Sequence, residues 1–196
     1  MTIKRNGKMF SLFKGTRARQ GMTIVEVLIS AMIFSIVLAA CYALLIAGSD
    51  SWETNDAKIE LQQDIRRAVD WIMQDLRQAG SASITNGPTT ANGTWYTLIT
   101  FRKASSVSGG SVVWDTDTTK YSLGGTGSTQ LQRQVGSQTP KVIGQNFQSL
   151  QFRRQSSSAN IVDVTMQSQK KTPRGKNLTG KAAVQQSTSF KVYLRN

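Results

Sequence analysis

The chain has no histidine, a single cysteine and only three prolines in 196 residues. Without His, most Ser and Cys hydrolase arrangements lose their base, and the commonest zinc ligand is missing. A lone Cys41 excludes an intramolecular disulfide. Any folded part is therefore held by its core. Carboxylates are not clustered: Asp115-Thr116-Asp117 resembles a fragment of a calcium loop. Two acids without a bidentate Glu are too few for calcium, and the tripeptide reads as turn chemistry in a hairpin. Gly124-Gly125-Thr126-Gly127 lacks the strand before and helix after that a phosphate cradle needs. These absences predict no metal and no cofactor and disfavour an enzyme. Two further absences point the other way. No Pro lies between residues 22 and 87, and no charged residue lies from Val27 to Ser49.

Residues 1–21 carry Lys4, Arg5, Lys8, Lys14, Arg17 and Arg19 with no acid. The uncharged run that follows is about 23 residues, enough for one helix to cross a bilayer. The basic leader predicts a cytoplasmic N-terminus and places everything after residue 50 outside. One acid, Glu26, sits near the start of the run. Unpaired near a bilayer centre, such a group costs about 2.5–3.5 kcal/mol on insertion scales. Three processing schemes compete. An uncleaved signal anchor explains the topology but not Glu26. A lipoprotein reading rests on the lipobox-like Leu38-Ala39-Ala40-Cys41, yet it needs an acid inside the signal core and an apolar stretch after the modified Cys. Cleavage between Gly21 and Met22 removes about +6 of charge and creates an ammonium four residues from Glu26. Pairing Glu26 with the ammonium of a staggered neighbour would set the axial register between subunits, as a buried polar group does in a coiled coil. The alternative is that Glu26 snorkels to the interface and pairs with nothing.

The stretch Gly21-Met22-Thr23-Ile24-Val25-Glu26-Val27-Leu28-Ile29-Ser30-Ala31 resembles the cleavage and methylation site of type IV prepilins and type II secretion pseudopilins. The resemblance implies that a membrane peptidase cuts after Gly21, that Met22 becomes the N-methylated terminus, and that Glu26 is the acid five positions into the mature chain. Met22 departs from the more usual Phe, a preference that minor subunits relax.

Beyond Ser49 the sequence turns amphipathic. Ile59, Ile65, Val69, Ile72, Met73 and Leu76 recur at three-to-four-residue spacing. Gly80 is the expected stop. One helix is thus expected over about 22–79, roughly 85–90 Å at 1.5 Å per residue. The segment Leu61–Gly80 resembles the helix end of W-type minor pilins and J-type minor pseudopilins, and Phe190–Asn196 resembles that group's closing strand. Residues 81–196 read as β. Thr94–Arg102, Ser111–Trp114, Lys120–Leu123, Gln130–Val135, Phe147–Phe152, Val162–Met166 and Phe190–Leu194 are candidate strands separated by Gly, Ser, Thr and Asp. Their spacing without intervening helices predicts an antiparallel sheet with one face on the helix stripe. The expected fold class is α+β and pilin-like. Its parts are a leader over 1–21, a membrane or assembly half-helix over 22–49, an amphipathic half-helix over 50–80 and a β head over 81–196.

Charge divides unevenly: about +6 in the leader, about −4 over 22–79 and about +11 over 80–196. Lys170, Lys171, Arg174, Lys176 and Lys181 lie on a Gly- and Pro-containing stretch between the last two strands. They are the candidate anion-binding residues, for DNA, anionic glycans or phospholipid. The stretch has no aromatic interleaving for stacking single strands, and simple solvation is the competing reading. The resemblance implies a non-catalytic subunit whose partners are other minor and major pilins or pseudopilins, prepilin peptidase and an inner-membrane assembly platform. It implies a cytoplasmic-membrane location with the head outside, then a pilus or pseudopilus. A competence or adhesion subunit with a DNA- or polymer-binding head is the second expectation.

Overall fold

The computed structural model describes residues 22–171 and 183–195. They belong to two compact units, one ending at Leu45 and one beginning at Ile46. Among the described residues one α-helix, α1 (Ile24–Leu76), is followed by β1 (Ala79–Asn86), β2 (Leu98–Ser108), β3 (Ser111–Gly124), a 3-10 turn (Thr126–Ser128), β4 (Gln130–Val135), β5 (Lys141–Gly144), β6 (Phe147–Gln155), β7 (Ser158–Lys171) and β8 (Ala183–Tyr193). The α+β layout expected from the sequence is present.

In the first unit every residue from Met22 to Leu45 is exposed. The helix there is apolar on all sides, the signature of a segment whose solvent is lipid or other helices. It is the one described helix long and apolar enough to cross a membrane. Ser35, inside this stretch, donates its hydroxyl to the Ala31 carbonyl at 2.8 Å. That bond leaves no hydroxyl proton facing an apolar surround.

The second unit packs α1 from Ala57 onward against two antiparallel sheets, where the sequence reading expected one. The sheets run in the orders β1-β2-β3-β4-β5 and β6-β7-β8. The break falls after β5, where Asn146 takes a left-handed backbone at φ 63° and Phe147 donates to the Thr129 carbonyl at 2.9 Å. Asn tolerates that conformation because its short side chain bonds locally. The core joins all layers: Ile65, Ile72 and Leu76 of the helix, Ile99, Phe101, Tyr121 and Leu131 of one sheet, and Phe147, Phe152, Val162, Val164 and Met166 of the other. Phe101 and Tyr121 stack with centroids 6.3 Å apart. A smaller cluster, Ala57, Leu61 and Val184, extends the contact toward the start of the half-helix.

Four expectations are corrected. The buried stripe is Ala57, Leu61, Ile65, Ala68, Ile72, Asp75 and Leu76, so Ile59 is off it and 53 % exposed. Alanine at two stripe positions lets the sheets approach closely and hides the pattern from a count of large residues. The helix ends at Leu76, and Gly80 lies within β1 rather than at a helix stop. A Cβ on Gly80 would sit 2.3 Å from the Trp114 ring, so close packing explains this glycine. Ser111–Trp114 and Lys120–Leu123 belong to one strand, β3. Asp115-Thr116-Asp117 is therefore no hairpin turn. It bulges out where the pairing slips between Arg102↔Thr118 and Ala104↔Trp114. Finally, β1 and β5 are additional to the expected strands: β1 is mostly small and polar residues and β5 is only four residues long, so neither gives a clear alternation.

One acid ties helix to sheet. Asp75 sits in the last turn of α1, where the helix dipole disfavours a negative charge, and it is 2 % exposed. Lys103 reaches one carboxylate oxygen at 2.5 Å. Arg133 and the Tyr121 hydroxyl reach the other, both at 2.7 Å. Trp71, one turn earlier, lies under the Arg133 guanidinium and the Lys141 ammonium at 5.1 and 5.6 Å. Burial alone would push the Asp75 carboxyl up. Hydrogen bonds from Arg133, Lys103 and Tyr121, with the charge of Lys103, outweigh it and hold the carboxyl below its ordinary value of 3.8. Burial, reinforced by Asp75, raises the Tyr121 phenol, which stays protonated as the donor. Because the folded value is depressed, the stabilisation from Asp75 is fully present above about pH 4 and is lost as pH falls through that folded value.

Removing one partner of such a buried group leaves the others uncompensated. Asp75→Ala should cost about 3–5 kcal/mol, and Tyr121→Phe about 1 kcal/mol. Urea unfolding of the full chain in non-ionic micelles, followed by Trp fluorescence, reads both. The gap between Asp75→Ala and the parent should narrow as pH is lowered below about 4.

Candidate functional site

The first turn of α1 is built from Thr23 and Glu26. Thr23 is the residue before the helix, and its backbone N–H donates to Glu26 Oε2 at 3.1 Å. Its hydroxyl donates to the same oxygen at 3.3 Å, and the Glu26 N–H returns a bond to Thr23 Oγ1 at 3.3 Å. This reciprocal pair is a capping box, Thr-x-x-Glu, which satisfies helix donors that have no intrahelical acceptor. The positive end of the dipole also favours the carboxylate there. Sequence reading singled out Glu26 as an acid out of place in an apolar run and missed its local partner. The spacing Thr23-Ile24-Val25-Glu26 was the available signal.

Around that box the surface is hydrocarbon. Met22, Ile24, Val25, Leu28 and Ile29 are each more than half exposed. Glu26 is the only charged side chain from Met22 to Ser49. Cys41, of the lipobox-like sequence, is an exposed thiol on the helix. Gly21, the other half of the expected cleavage bond, lies outside the described residues.

The candidate anion-binding set does not share one place. Lys170 faces the core side and forms an ion pair with Glu60 of α1, so it ties β7 to the helix. Lys171, the next residue, is exposed at the end of β7. Arg174, Lys176 and Lys181 lie outside the described residues. A different cation is buried: Arg154 donates from Nε to the Ala159 carbonyl at 2.9 Å and from Nη1 to the carbonyls of Ser81 and Thr89. Burial lowers its pKa, and it serves as a clasp for the loop between β1 and β2. No group of three or more His, Cys, Asp or Glu side chains is placed to hold a metal among the described residues.

Residues 16–42 match the family model of the prokaryotic N-terminal methylation motif. The match spans the Gly21–Met22 bond, the capping box and most of the apolar run. It supports a type IV pilin-like protein, and with the apolar helix it is compatible with anchoring in the inner membrane and assembly with other pilin-like subunits. No curated protein matches the chain, and no solved structure does.

Loss of the hydroxyl should loosen the first turn. Thr23→Val removes a cap worth about 1 kcal/mol. Amides of residues 24–27 should then exchange about fivefold faster in micelles, with the rest of α1 unchanged.

Proposed function

We propose that this chain is a minor pilin or pseudopilin, a non-catalytic subunit that primes assembly or caps the fibre of a type IV pilus or type II secretion pseudopilus. On this reading residues 1–21 are a cytoplasmic leader, and prepilin peptidase cuts between Gly21 and Met22. Met22 is then N-methylated, and the subunit waits in the cytoplasmic membrane with residues after 50 outside. The single observation that carries the proposal is the conjunction at the helix start: a methylation-motif match over residues 16–42 whose acid opens a helix exposed on all sides. Within that class, the resemblance of Leu61–Gly80 and Phe190–Asn196 to W-type pilins and J-type pseudopilins favours a minor subunit.

The assembly chemistry follows from hydrogen-bond capacity. An ionised carboxylate offers about four acceptor positions, and two Thr23 donors do not fill them. A neighbour's Met22 ammonium can therefore join Glu26 without breaking the capping box. Apolar helices packed side by side are free to slide, and one charge pair per contact sets their stagger.

Intact mass and N-terminal sequencing of the membrane-extracted protein test the proposal. The expected product begins at Met22 and carries one methyl group. A chain beginning at Met1, or a lipid on Cys41, would overturn it. Glu26→Ala should still insert and be cleaved, yet drop out of sheared fibres by about tenfold or more. Normal incorporation of that variant would remove the role given to the acid.

A further inference from the structure

The outward face of the β6–β8 sheet is a polar platform turned away from the core. Residues directly opposite in antiparallel strands share a face. Arg153↔Asp163↔Lys191 therefore form one row across the three strands, and Gln151↔Thr165↔Ser189 form the next. Gln167↔Ser187, Gln169↔Gln185 and Lys171↔Ala183 continue it, while Ile161↔Tyr193 closes the other end. From Asp163 to Lys171 the platform runs about 27 Å. Gln151, Lys171, Gln185, Ser187, Ser189, Lys191 and Tyr193 are exposed.

A fourth column flanks β6. Tyr96, half-buried, bridges Phe152 through two 2.8 Å backbone hydrogen bonds. Trp95 is 39 % exposed, with the Arg153 guanidinium 4.4 Å above its ring. Asp163 holds that guanidinium from the other side at 2.7 Å and accepts from Gln155 at 2.9 Å. The one acid of the face is thus neutralised, and the row Trp95–Arg153–Asp163–Lys191 is pre-organised. Thr165 and Ser189 hydroxyls lie 2.9 Å apart.

We propose that this face binds an acidic polysaccharide. Lys191 and Lys171 offer exposed ammonium groups for carboxylates, the one acid of the face is already paired with Arg153 and so does not repel them, and the hydroxyl and amide rows between them match sugar hydroxyls. Tyr193, 68 % exposed, gives apolar surface for a sugar C–H face. A nucleic acid fits less well. Base stacking needs successive open aromatic faces, and here the Trp95 ring is covered by Arg153. A duplex held by phosphate contacts alone draws on many cations, whereas most positions on this platform are uncharged.

The test is retention of the full chain, in non-ionic micelles, on immobilised polygalacturonate, with neutral dextran and duplex DNA as competitors. Retention is expected and should be displaced by soluble polygalacturonate but not by dextran. Lys171→Glu with Lys191→Glu should weaken it about tenfold. Lys120→Glu, on the outward face of the other sheet opposite Thr100 and Gln134, should change it less than about twofold. Both reversed lysines are exposed, and an unchanged near-ultraviolet dichroism spectrum confirms the fold. Absence of retention, equal loss in Lys120→Glu, displacement by dextran, or stronger displacement by duplex DNA than by polygalacturonate would each overturn the proposal.

Discussion

The constraint on which the rest depends is that the first half of α1 buries against nothing among the described residues. Sixteen large hydrophobic residues between Met22 and Ile46 are exposed. Each forgoes about 1.5–3 kcal/mol relative to burial, so the total runs to the order of tens of kcal/mol. A whole domain is stable by only about 5–15 kcal/mol. Lipid or other apolar helices would recover that free energy, and water does not. That is compatible with a segment housed in lipid or against other such helices, where the capping box and the Ser35 back-bond satisfy polar groups that either setting would penalise.

The second unit solves a different problem with the same helix. From Ala57 onward α1 is one-sided, and its stripe of small and branched residues seats two sheets. What pins the helix end is electrostatic. Asp75 is placed where the dipole opposes it, and it is tolerated because Lys103, Arg133 and Tyr121 converge on it from β2, β4 and β3. Three strands of one sheet are thus tied to a single side chain. That geometry orders the sheet whether or not the network adds net stability over an apolar core. Lys170 to Glu60 and Arg154 to the Ser81, Thr89 and Ala159 carbonyls repeat the device for the other sheet and the long loop.

Features set by local chemistry could be read from the chain, and those set by packing could not. The apolar run, the acid in it and the α+β division follow from composition and period alone. So do strands such as β4 and β6, where large residues alternate. The stripe was misread because Ala57 and Ala68 carry too little side chain to register, while Ile59 carries much and faces solvent. Gly80 reads as a helix stop in one dimension; only the Trp114 ring across the sheet reveals why no side chain fits there. The bulge at Asp115-Thr116-Asp117 looks like a turn because turns and bulges use the same residues. Likewise Lys170 and Lys171 read as one basic pair, and strand alternation sends them to opposite faces.

The capping box also changes the energetics of the proposed register pair. An acid unpaired in hydrocarbon would seek a partner with the full 2.5–3.5 kcal/mol, roughly, of its insertion penalty. Glu26 is already relieved in part: the cap is worth about 1 kcal/mol and the dipole about 0.3–1 kcal/mol. What remains for a neighbour's ammonium is about 1–2 kcal/mol per contact, a preference of roughly five- to thirtyfold for one stagger over its neighbours. That is weak for a lone pair of helices and ample for a fibre, where every added subunit makes the same choice. A subunit whose acid is satisfied by its own Thr23 can also rest in the bilayer as a monomer. It then joins an assembly without first breaking a tight internal bond, as the proposed passage from lipid to fibre requires.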